Sequence, residues 1–193
     1  MKPFMDENFL LPDGASQRLC HEYAKDTPIF DYHSHLPIRQ VLEDVRFDNI
    51  TQVWLYGDHY KWRAMRACGV PEELVSGVPN AADDYARFEA WAKVVPQTVG
   101  NPLYHWSHLE LKRYFGVEEL LTPKNAKKIY DHCSEKLRTP EFSVRSIIRR
   151  SGVSVVCTTD DPTDDLKNHV ALAKESWGCR VYPAWRPDKA LAA

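Results

Sequence analysis

The order of hydrophobic and polar positions along the chain predicts three strands. Residues 29–35 begin with Ile and Phe and end in two histidines, a pattern typical of a short strand with a polar C-terminal end. Residues 153–160 are rich in β-branched side chains and also end in polar ones, which predicts a buried strand with an exposed C-terminal end. Residues 180–186 form a third candidate strand, although Pro183 would have to occupy a bulge or a position that needs no hydrogen-bond donor.

Apolar residues at helical spacing account for most of the remaining chain. The signals are helical from about residue 41 to 150. Within that stretch, the Thr-Pro pairs at 122–123 and 139–140 each predict an N-cap followed by proline at the first helical position. Another helix is predicted over about 163–176, between the second and third strands.

These elements predict an α/β fold with a parallel sheet, because strands and helices alternate along the chain. A large helical insertion interrupts the alternation after the first strand. We expect residues 1–40 to hold an N-terminal lead, a helix and the first strand, and residues 41–152 to form the insertion. Residues 153–193 then hold the second and third strands with the helix between them.

Composition and charge exclude several classes of protein. The 193 residues carry 25 Lys and Arg against 27 Asp and Glu, which gives a formal net charge of -2. Because the chain has no basic block, it lacks the positive electrostatic potential that attracts phosphate groups, so a dedicated nucleic-acid binder is not expected. The hydrophobic content of 44% argues against disorder. No run approaches the roughly 20 apolar residues that a bilayer span requires, so we expect no membrane partner.

The cysteines and the N-terminal residues bear on the cellular compartment. Five cysteines stand at wide spacings, which matches neither a disulfide framework nor a Cys-x-x-Cys metal site. Two early acidic residues and a very short apolar run, residues 9–11, argue against a signal peptide. We therefore expect a cytoplasmic protein.

The sharpest local signal for chemistry is Asp-Tyr-His-Ser-His at residues 31–35. Side chains of a strand alternate between its faces, so His33 and His35 project from the same side, close enough to bind one metal ion through imidazole nitrogens. The alternative is a pair of polar strand-end histidines that bind nothing. A place at the C-terminal end of a parallel strand favours the metal site, because active sites of α/β proteins gather there.

A second candidate cluster, Gly57–Arg63, lies at the start of a predicted helix that ends near Gly69. His59 is able to exchange protons near neutral pH, and Tyr60 offers a second acid–base group. The alternative is an ordinary helix start with solvated charges and a buried Trp62. Spacing does not decide between these interpretations.

Three other features have competing interpretations. Arg186, after the third strand, is suited to bind a carboxylate through two hydrogen bonds, or else it pairs at the surface with Asp188. Asp160-Asp161-Pro162, at the end of the second strand, is interpreted as a cap of the following helix, in preference to a metal ligand or an acceptor that supports a metal ligand. His105, His108 and Glu110 stand among aromatic and leucine residues, which favours a packed, hydrogen-bonded role over a second metal site.

Together these motifs resemble, in order, those of the uronate (glucuronate) isomerase family of the amidohydrolase superfamily. The matching motifs are Asp-Tyr-His-Ser-His-Leu at 31–36, Gly-Asp-His-Tyr-Lys-Trp-Arg at 57–63, residues 101–111, Thr-Thr-Asp-Asp-Pro at 158–162 and Trp-Arg-Pro-Asp-Lys at 185–189. The resemblance extends from about Phe9 to Lys189. The large insertion after the family's first strand matches the helical insertion expected here.

The resemblance implies a distorted (β/α)8 barrel. It also implies an aldose–ketose isomerase that interconverts D-glucuronate with D-fructuronate, and D-galacturonate with D-tagaturonate. On this resemblance His33 and His35 bind a divalent metal, most often zinc. His59 and Tyr60 correspond to catalytic residues, and Arg186 corresponds to an arginine that orients the hexuronic acid substrate. A homo-oligomer is also expected.

The resemblance covers only the N-terminal portion of the family's chains. About three of the eight strands of such a barrel are present, so we expect activity to require the part of the family's chain that follows. Two alternatives to the isomerase stay open. One is a metal-dependent hydrolase of the same superfamily, and the other is a non-catalytic fragment that needs a partner chain.

Overall fold

The computed structural model describes residues 4–78, 80, 82–161 and 163–192. Within this described part, none of the helices has the length and apolar character that a membrane crossing requires.

Three parallel strands form one sheet in the order β1-β2-β3, with β1 at Ile29–Ser34, β2 at Val153–Asp160 and β3 at Arg180–Trp185. The strands lie where the sequence predicts them. β2 and β3 pair without a break in register, and Pro183 of β3 lies opposite Thr158. No bulge is therefore needed at Pro183, because an edge strand of the described sheet uses ladder hydrogen bonds on one side only.

The α-helices are, in chain order, α1 (Gly14–Arg18), α2 (Ile38–Leu42), α3 (Ile50–Leu55), α4 (His59–Ala67), α5 (Glu72–Val75), α6 (Asp84–Val94), α7 (Pro102–Glu110), α8 (Ala126–Leu137), α9 (Val144–Arg150), α10 (Lys167–Leu172) and α11 (Asp188–Leu191). Short π-helical segments, Leu19–Ala24 and Leu111–Phe115, continue α1 and α7. Two 3-10 turns occupy Val95–Thr98 and Pro140–Phe142.

The chain divides into two compact units, a sheet unit of residues 1–45 with 143–193 and a helical unit of residues 46–142. The helical unit is shorter than the predicted insertion, because α2 and α9 pack together and α9 packs against β2. The backbone amide of Val144 donates to the carbonyl of Val45 at 3.0 Å, so the chain re-enters the sheet unit where it left it. The division of the chain into a lead, an insertion and a barrel part stays a prediction.

Arg145 of α9 is the main polar link within the sheet unit. Its Nε and Nη2 atoms donate to the carbonyls of Val41 and Leu42 at 2.7 and 2.6 Å. These carbonyls belong to the last residues of α2, where a helix leaves its acceptors unpaired. Nη1 donates to Glu175 at 2.5 Å, and the guanidinium carbon lies 5.4 Å from the centre of the Trp177 ring. One side chain therefore ties α2 and α9 to the segment after α10.

The helical unit is built around α6, which contacts α3, α4, α5 and α8. Trp54 of α3 stacks on Phe88 of α6 with ring centres 6.0 Å apart. The large, fully buried side chains of this unit are Ile50, Leu55, Met65, Val75, Phe88, Trp91, Val94, Leu111, Leu121, Ile129 and Leu137. This apolar core supplies the rigid support for the exposed start of α4.

Two predicted helix starts are wrong by a few residues. At 122–123 the chain makes a turn instead, in which the Thr122 amide donates to Asn125 Oδ1 at 2.8 Å, and α8 begins after Asn125. At 139–140 the proline begins a 3-10 turn, and Ser143 caps α9 by accepting the amide of Ser146. In both cases a short polar side chain accepts a nearby backbone amide, and the α-helix begins after that residue instead of at the proline.

The helix predicted over 163–176 is also wrong in extent, since only Lys167–Leu172 is α-helical. The Asp161 carboxylate accepts the amide of Thr163 at 2.9 Å, and the Asp165 carboxylate accepts the amide of Lys167 at 3.1 Å. Aspartate side chains that bind the amide two residues ahead form turns that compete with a helix. Residues 163–166 therefore lie outside the helix.

Candidate active site

His33 and His35 face each other at the C-terminal end of β1. Their Nε2 atoms are 3.2 Å apart, and the ring centres are 5.1 Å apart at an interplanar angle of 79°. Both side chains are exposed. The strand spacing therefore places the two imidazoles together, as predicted.

The local sequence explains how this strand end is held. Asp31 lies opposite Val156 and Ser34 lies opposite Thr158, so β1 has one residue more than β2 over this stretch and forms a bulge. The Asp31 carboxylate accepts the amide of His33 at 3.3 Å inside the bulge. The Ser34 hydroxyl donates to the carbonyl of Cys157 at 3.2 Å and fixes the strand end to β2.

The geometry of the histidine pair fits a metal ion. Two nitrogens that bind one tetrahedral zinc ion at about 2.0–2.1 Å lie about 3.3 Å from each other. The two Nε2 atoms form a hydrogen bond at 3.2 Å, a separation close to that value. No group of three His, Cys, Asp or Glu side chains is placed to hold a metal within the described ranges. The chain thus offers two nitrogen ligands, whereas catalytic zinc sites use three protein ligands.

Arg186 follows β3 at the same edge of the sheet as the histidine pair. Asp160 and Trp185 are register partners at the ends of β2 and β3, so Arg186 leaves the sheet at the C-terminal edge. Its Nε atom lies 3.1 Å from Asp188 Oδ2, and its side chain is 43% exposed. The structure therefore shows the Asp188 pairing, at a position where a carboxylate ligand would have access to the guanidinium.

Neither Asp160 nor Asp161 caps the following helix, so this interpretation is wrong; Pro162 lies outside the described residues. The Asp160 Oδ2 atom accepts a hydrogen bond from the Thr158 hydroxyl at 2.6 Å and lies 3.6 Å from His169 Nε2. The helix that Asp160 was expected to cap begins only at Lys167. Asp160 instead belongs to a largely buried polar group that joins β2 to α10.

His169 was missed by the sequence analysis. It is 7% exposed, and its Nε2 atom lies 2.8 Å from the Thr158 hydroxyl. The apolar spacing of Leu166, Val170 and Ala173 pointed to the wrong face, because Val170 and Ala173 are exposed and the buried residues of α10 are His169 and Leu172.

His59 and Tyr60 open helix α4 in the helical unit. Asp58 is the N-cap, and its Oδ1 atom accepts the amides of Tyr60 and Lys61 at 2.9 and 3.1 Å. Both candidate acid–base side chains are exposed, with ring centres 4.4 Å apart. The Arg63 guanidinium lies 5.8 Å from the Tyr60 ring centre. The helix start predicted from the sequence is confirmed.

The sequence-predicted residues are divided between the two units. The sheet unit holds His33, His35 and Arg186, and the helical unit holds His59 and Tyr60. His33, His35, His59 and Tyr60 are exposed, and Arg186 is partly exposed.

His108 has a structural environment, as the sequence favours. It is 4% exposed, its Nδ1 atom lies 2.6 Å from the carbonyl of Tyr104, and its Nε2 atom accepts the amide of Leu121 at 2.9 Å. Burial lowers the pKa of His108, and the hydrogen bond to Tyr104 opposes that shift only in part. Because both ring nitrogens are used inside the protein, His108 is not placed to bind a metal.

Two solved structures are similar to this chain. A uronate isomerase from Thermotoga maritima has a TM-score of 0.91 at 37% identity, and the match covers 98% of this chain and 41% of that one. A glucuronate isomerase from Caulobacter crescentus has a TM-score of 0.85 at 28% identity, covering 95% and 40%. The fold is therefore α/β, the N-terminal part of a distorted (β/α)8 barrel with a large helical insertion after its first strand.

Sequence comparison identifies the family. The family model described as glucuronate isomerase matches residues 1–193. A curated uronate isomerase from Bacteroides thetaiotaomicron is 52% identical over 192 residues, which are 100% of this chain and 41% of that protein. The chain belongs to the glucuronate isomerase family, and it spans about two fifths of the length of these relatives.

Proposed function

We propose that this chain supplies the N-terminal part of a uronate isomerase. The reaction is the aldose–ketose interconversion of D-glucuronate with D-fructuronate, and of D-galacturonate with D-tagaturonate. The observation that carries the proposal is the family match over residues 1–193, which includes every candidate site residue. It favours an isomerase over the hydrolase that the histidine pair alone would allow.

The histidine pair supports the metal assignment in this proposal. His33 and His35 hold their Nε2 atoms at the separation that one tetrahedral ion requires. Zinc is the ion we propose, because imidazole nitrogen suits it and the amidohydrolase superfamily is the group that the motifs resemble. When bound, the ion would supply positive charge to oxygen atoms of the sugar acid.

The acid–base residues support the isomerase chemistry. A proton must leave C2 of the aldose and reach C1, while the carbonyl moves from C1 to C2 through an enediol. His59 and Tyr60 place two groups that can accept and donate protons next to each other on α4. Both side chains leave the exposed first turn of α4, where the amides of Tyr60 and Lys61 are bound by the Asp58 carboxylate.

Arg186 is the residue we propose for the carboxylate of the hexuronic acid. A guanidinium binds a carboxylate through two parallel hydrogen bonds, and Arg186 already binds one carboxylate, that of Asp188. The substrate would compete with Asp188 for the guanidinium. Asp188 thus keeps Arg186 oriented until the sugar acid enters.

The test is a chimaera that joins residues 1–193 to the part of the Bacteroides thetaiotaomicron relative that follows the matched region. We expect D-glucuronate turnover by the chimaera and none by the 193-residue chain alone. In the chimaera, His59→Ala should lower kcat by about 10²- to 10⁴-fold, the usual contribution of an acid–base group. His21→Ala, a change at an exposed histidine, is the matched control and should leave kcat unchanged. A folded chimaera that turns over neither uronate would refute the proposal.

Compartment and assembly complete the proposal. All five cysteines are free thiols, which suits the reducing cytoplasm. We also propose a homo-oligomer, which sedimentation of the chimaera would test. A hexuronic acid is the partner we propose, and we expect no binding to nucleic acid or membranes.

A further inference from the structure

Lys61, directly after the candidate acid–base residues, is a buried cation. Its side chain is 8% exposed, and its ammonium nitrogen lies 2.6 Å from Asp58 Oδ2. The ammonium also lies 5.5 Å from the centre of the Trp54 ring. Removing such a group from water carries a penalty of several kcal/mol, so the surrounding groups must compensate it.

A second carboxyl group, that of Glu110, interacts with the same cation. Glu110 is the last residue of α7 and is partly buried. Burial raises the pKa of Glu110, although the Lys61 charge and a hydrogen bond from the Trp54 indole oppose that shift. Lys61 is therefore within electrostatic reach of two carboxyl groups, and Trp54 contacts both the cation and one of the acids.

Asp58 connects the buried cation to the first turn of α4. One carboxylate oxygen accepts the amides of Tyr60 and Lys61, and the other accepts the Lys61 ammonium. Burial acts to raise the pKa of Asp58, but the Lys61 charge and these hydrogen bonds hold it below its ordinary value. A rotation of the carboxylate would break the N-cap bonds, and the ion pair opposes that rotation.

The other end of the α3–α4 connection is held independently of Lys61. The carbonyl of Leu55 accepts the Trp62 indole at 2.8 Å and the Arg87 guanidinium at 3.0 Å. Trp62 therefore ties α4 to the end of α3, whereas the Lys61–Asp58 pair holds the N-cap residue that directly precedes His59 and Tyr60.

We propose that Lys61 is a positioning residue of the isomerase, which holds Asp58 and thereby fixes the directions in which His59 and Tyr60 leave helix α4. This inference rests on the proposed function. Lys61 itself is buried beneath the exposed turn, so we expect it to act without contacting the substrate. Its effect reaches the reaction through the geometry of the two acid–base side chains, and small displacements of such groups are costly in rate.

The kinetic test compares Lys61→Met with Lys93→Met in the chimaera. Lys93 forms an exposed ion pair with Glu89 in the same unit, so its replacement removes a similar pair away from α4. We expect Lys61→Met to lower kcat by about 10- to 100-fold with little change in KM, and Lys93→Met to change neither. Asp58→Asn retains an N-cap oxygen but removes the ion pair, and it should lower kcat in the same way.

A spectroscopic readout separates positioning from stability. In the 193-residue chain, the rings of His59 and Tyr60 are close enough for a nuclear Overhauser effect. We expect this signal to weaken in Lys61→Met and Asp58→Asn and to persist in Lys93→Met. If Lys61→Met fails to fold, Asp58→Asn decides the question.

The inference is overturned if the folded variants at positions 58 and 61 keep both kcat and the ring contact, even when their melting temperatures fall. An inactive wild-type chimaera would instead refute the proposed function. In that case the ring contact in the 193-residue chain still decides whether Lys61 positions His59 and Tyr60.

Discussion

Zinc should stabilise the folded chain through His33 and His35, by an amount that follows from linkage. The Nε2 atoms already lie 3.2 Å apart, so binding requires little rearrangement of β1. At a free zinc concentration of 100 times Kd, the free energy of unfolding rises by about 2.7 kcal/mol. For a chain of this size each kcal/mol raises Tm by about 2–4 °C, so the expected increase is about 5–11 °C.

The assay has two steps. Competition with a chelator first gives Kd, and thermal unfolding followed by circular dichroism then gives Tm with and without zinc. His33→Ala and His35→Ala should each lose most of the increase, whereas His21→Ala should retain it. The unfolded chain also binds zinc through its thiols, but these are the same in every variant, so differences between variants report the folded site. An equal increase in His33→Ala and the unchanged chain would refute the metal assignment.

Three further predictions concern stability and thiol chemistry. Because burial lowers the pKa of His108, the folded chain binds fewer protons at this residue than the unfolded chain. The contribution of His108 to the free energy of unfolding is therefore complete above about pH 6.5 and is lost as the pH falls below that value. In urea titrations, His108→Leu should lower the free energy of unfolding by about 1–3 kcal/mol at pH 8, since a buried amide loses its acceptor, and should remove this pH dependence. A variant whose free energy of unfolding still falls with pH as it does in the unchanged chain would contradict this. Iodoacetamide should label exposed Cys68 in the folded chain and spare Cys133, because burial raises the pKa of Cys133 to about 12; mass spectrometry that finds equal labelling would argue against the buried thiol. Arg145→Lys should lower the free energy of unfolding by about 1–3 kcal/mol, since an ammonium cannot bind both α2 carbonyls in the same geometry, whereas Arg180→Lys at an exposed position should cost less than about 0.5 kcal/mol.

The strands could be predicted from the sequence because their signal is local. Runs of β-branched residues that end in polar ones define β2 almost to the residue, and the spacing of His33 and His35 predicts that their rings meet. The start of α4 could also be predicted from the sequence, because Asp58 stands where an N-cap is expected.

Tertiary contacts explain what the sequence did not reveal. Asp160 is a residue type that often caps helices, yet its carboxylate binds Thr158 and approaches His169, a contact that forms only when α10 folds back onto β2. Lys61 likewise has the pattern of a solvated helix residue. Its burial depends on Glu110 and Trp54, which come from two other helices. Hydrophobic periodicity carries no information about such pairings.

The hydrogen bond between Val144 and Val45 has a consequence for the order of folding. It closes a loop of about a hundred residues, and the entropy lost on closing a flexible loop grows with the logarithm of its length. β1 and β2 must pair across this loop, and pairing between strands so far apart in sequence is slow. A helical unit that folds first shortens the flexible loop and lowers that barrier. Mutations that unfold the helical unit should therefore slow the assembly of the sheet, even where they touch none of its strands.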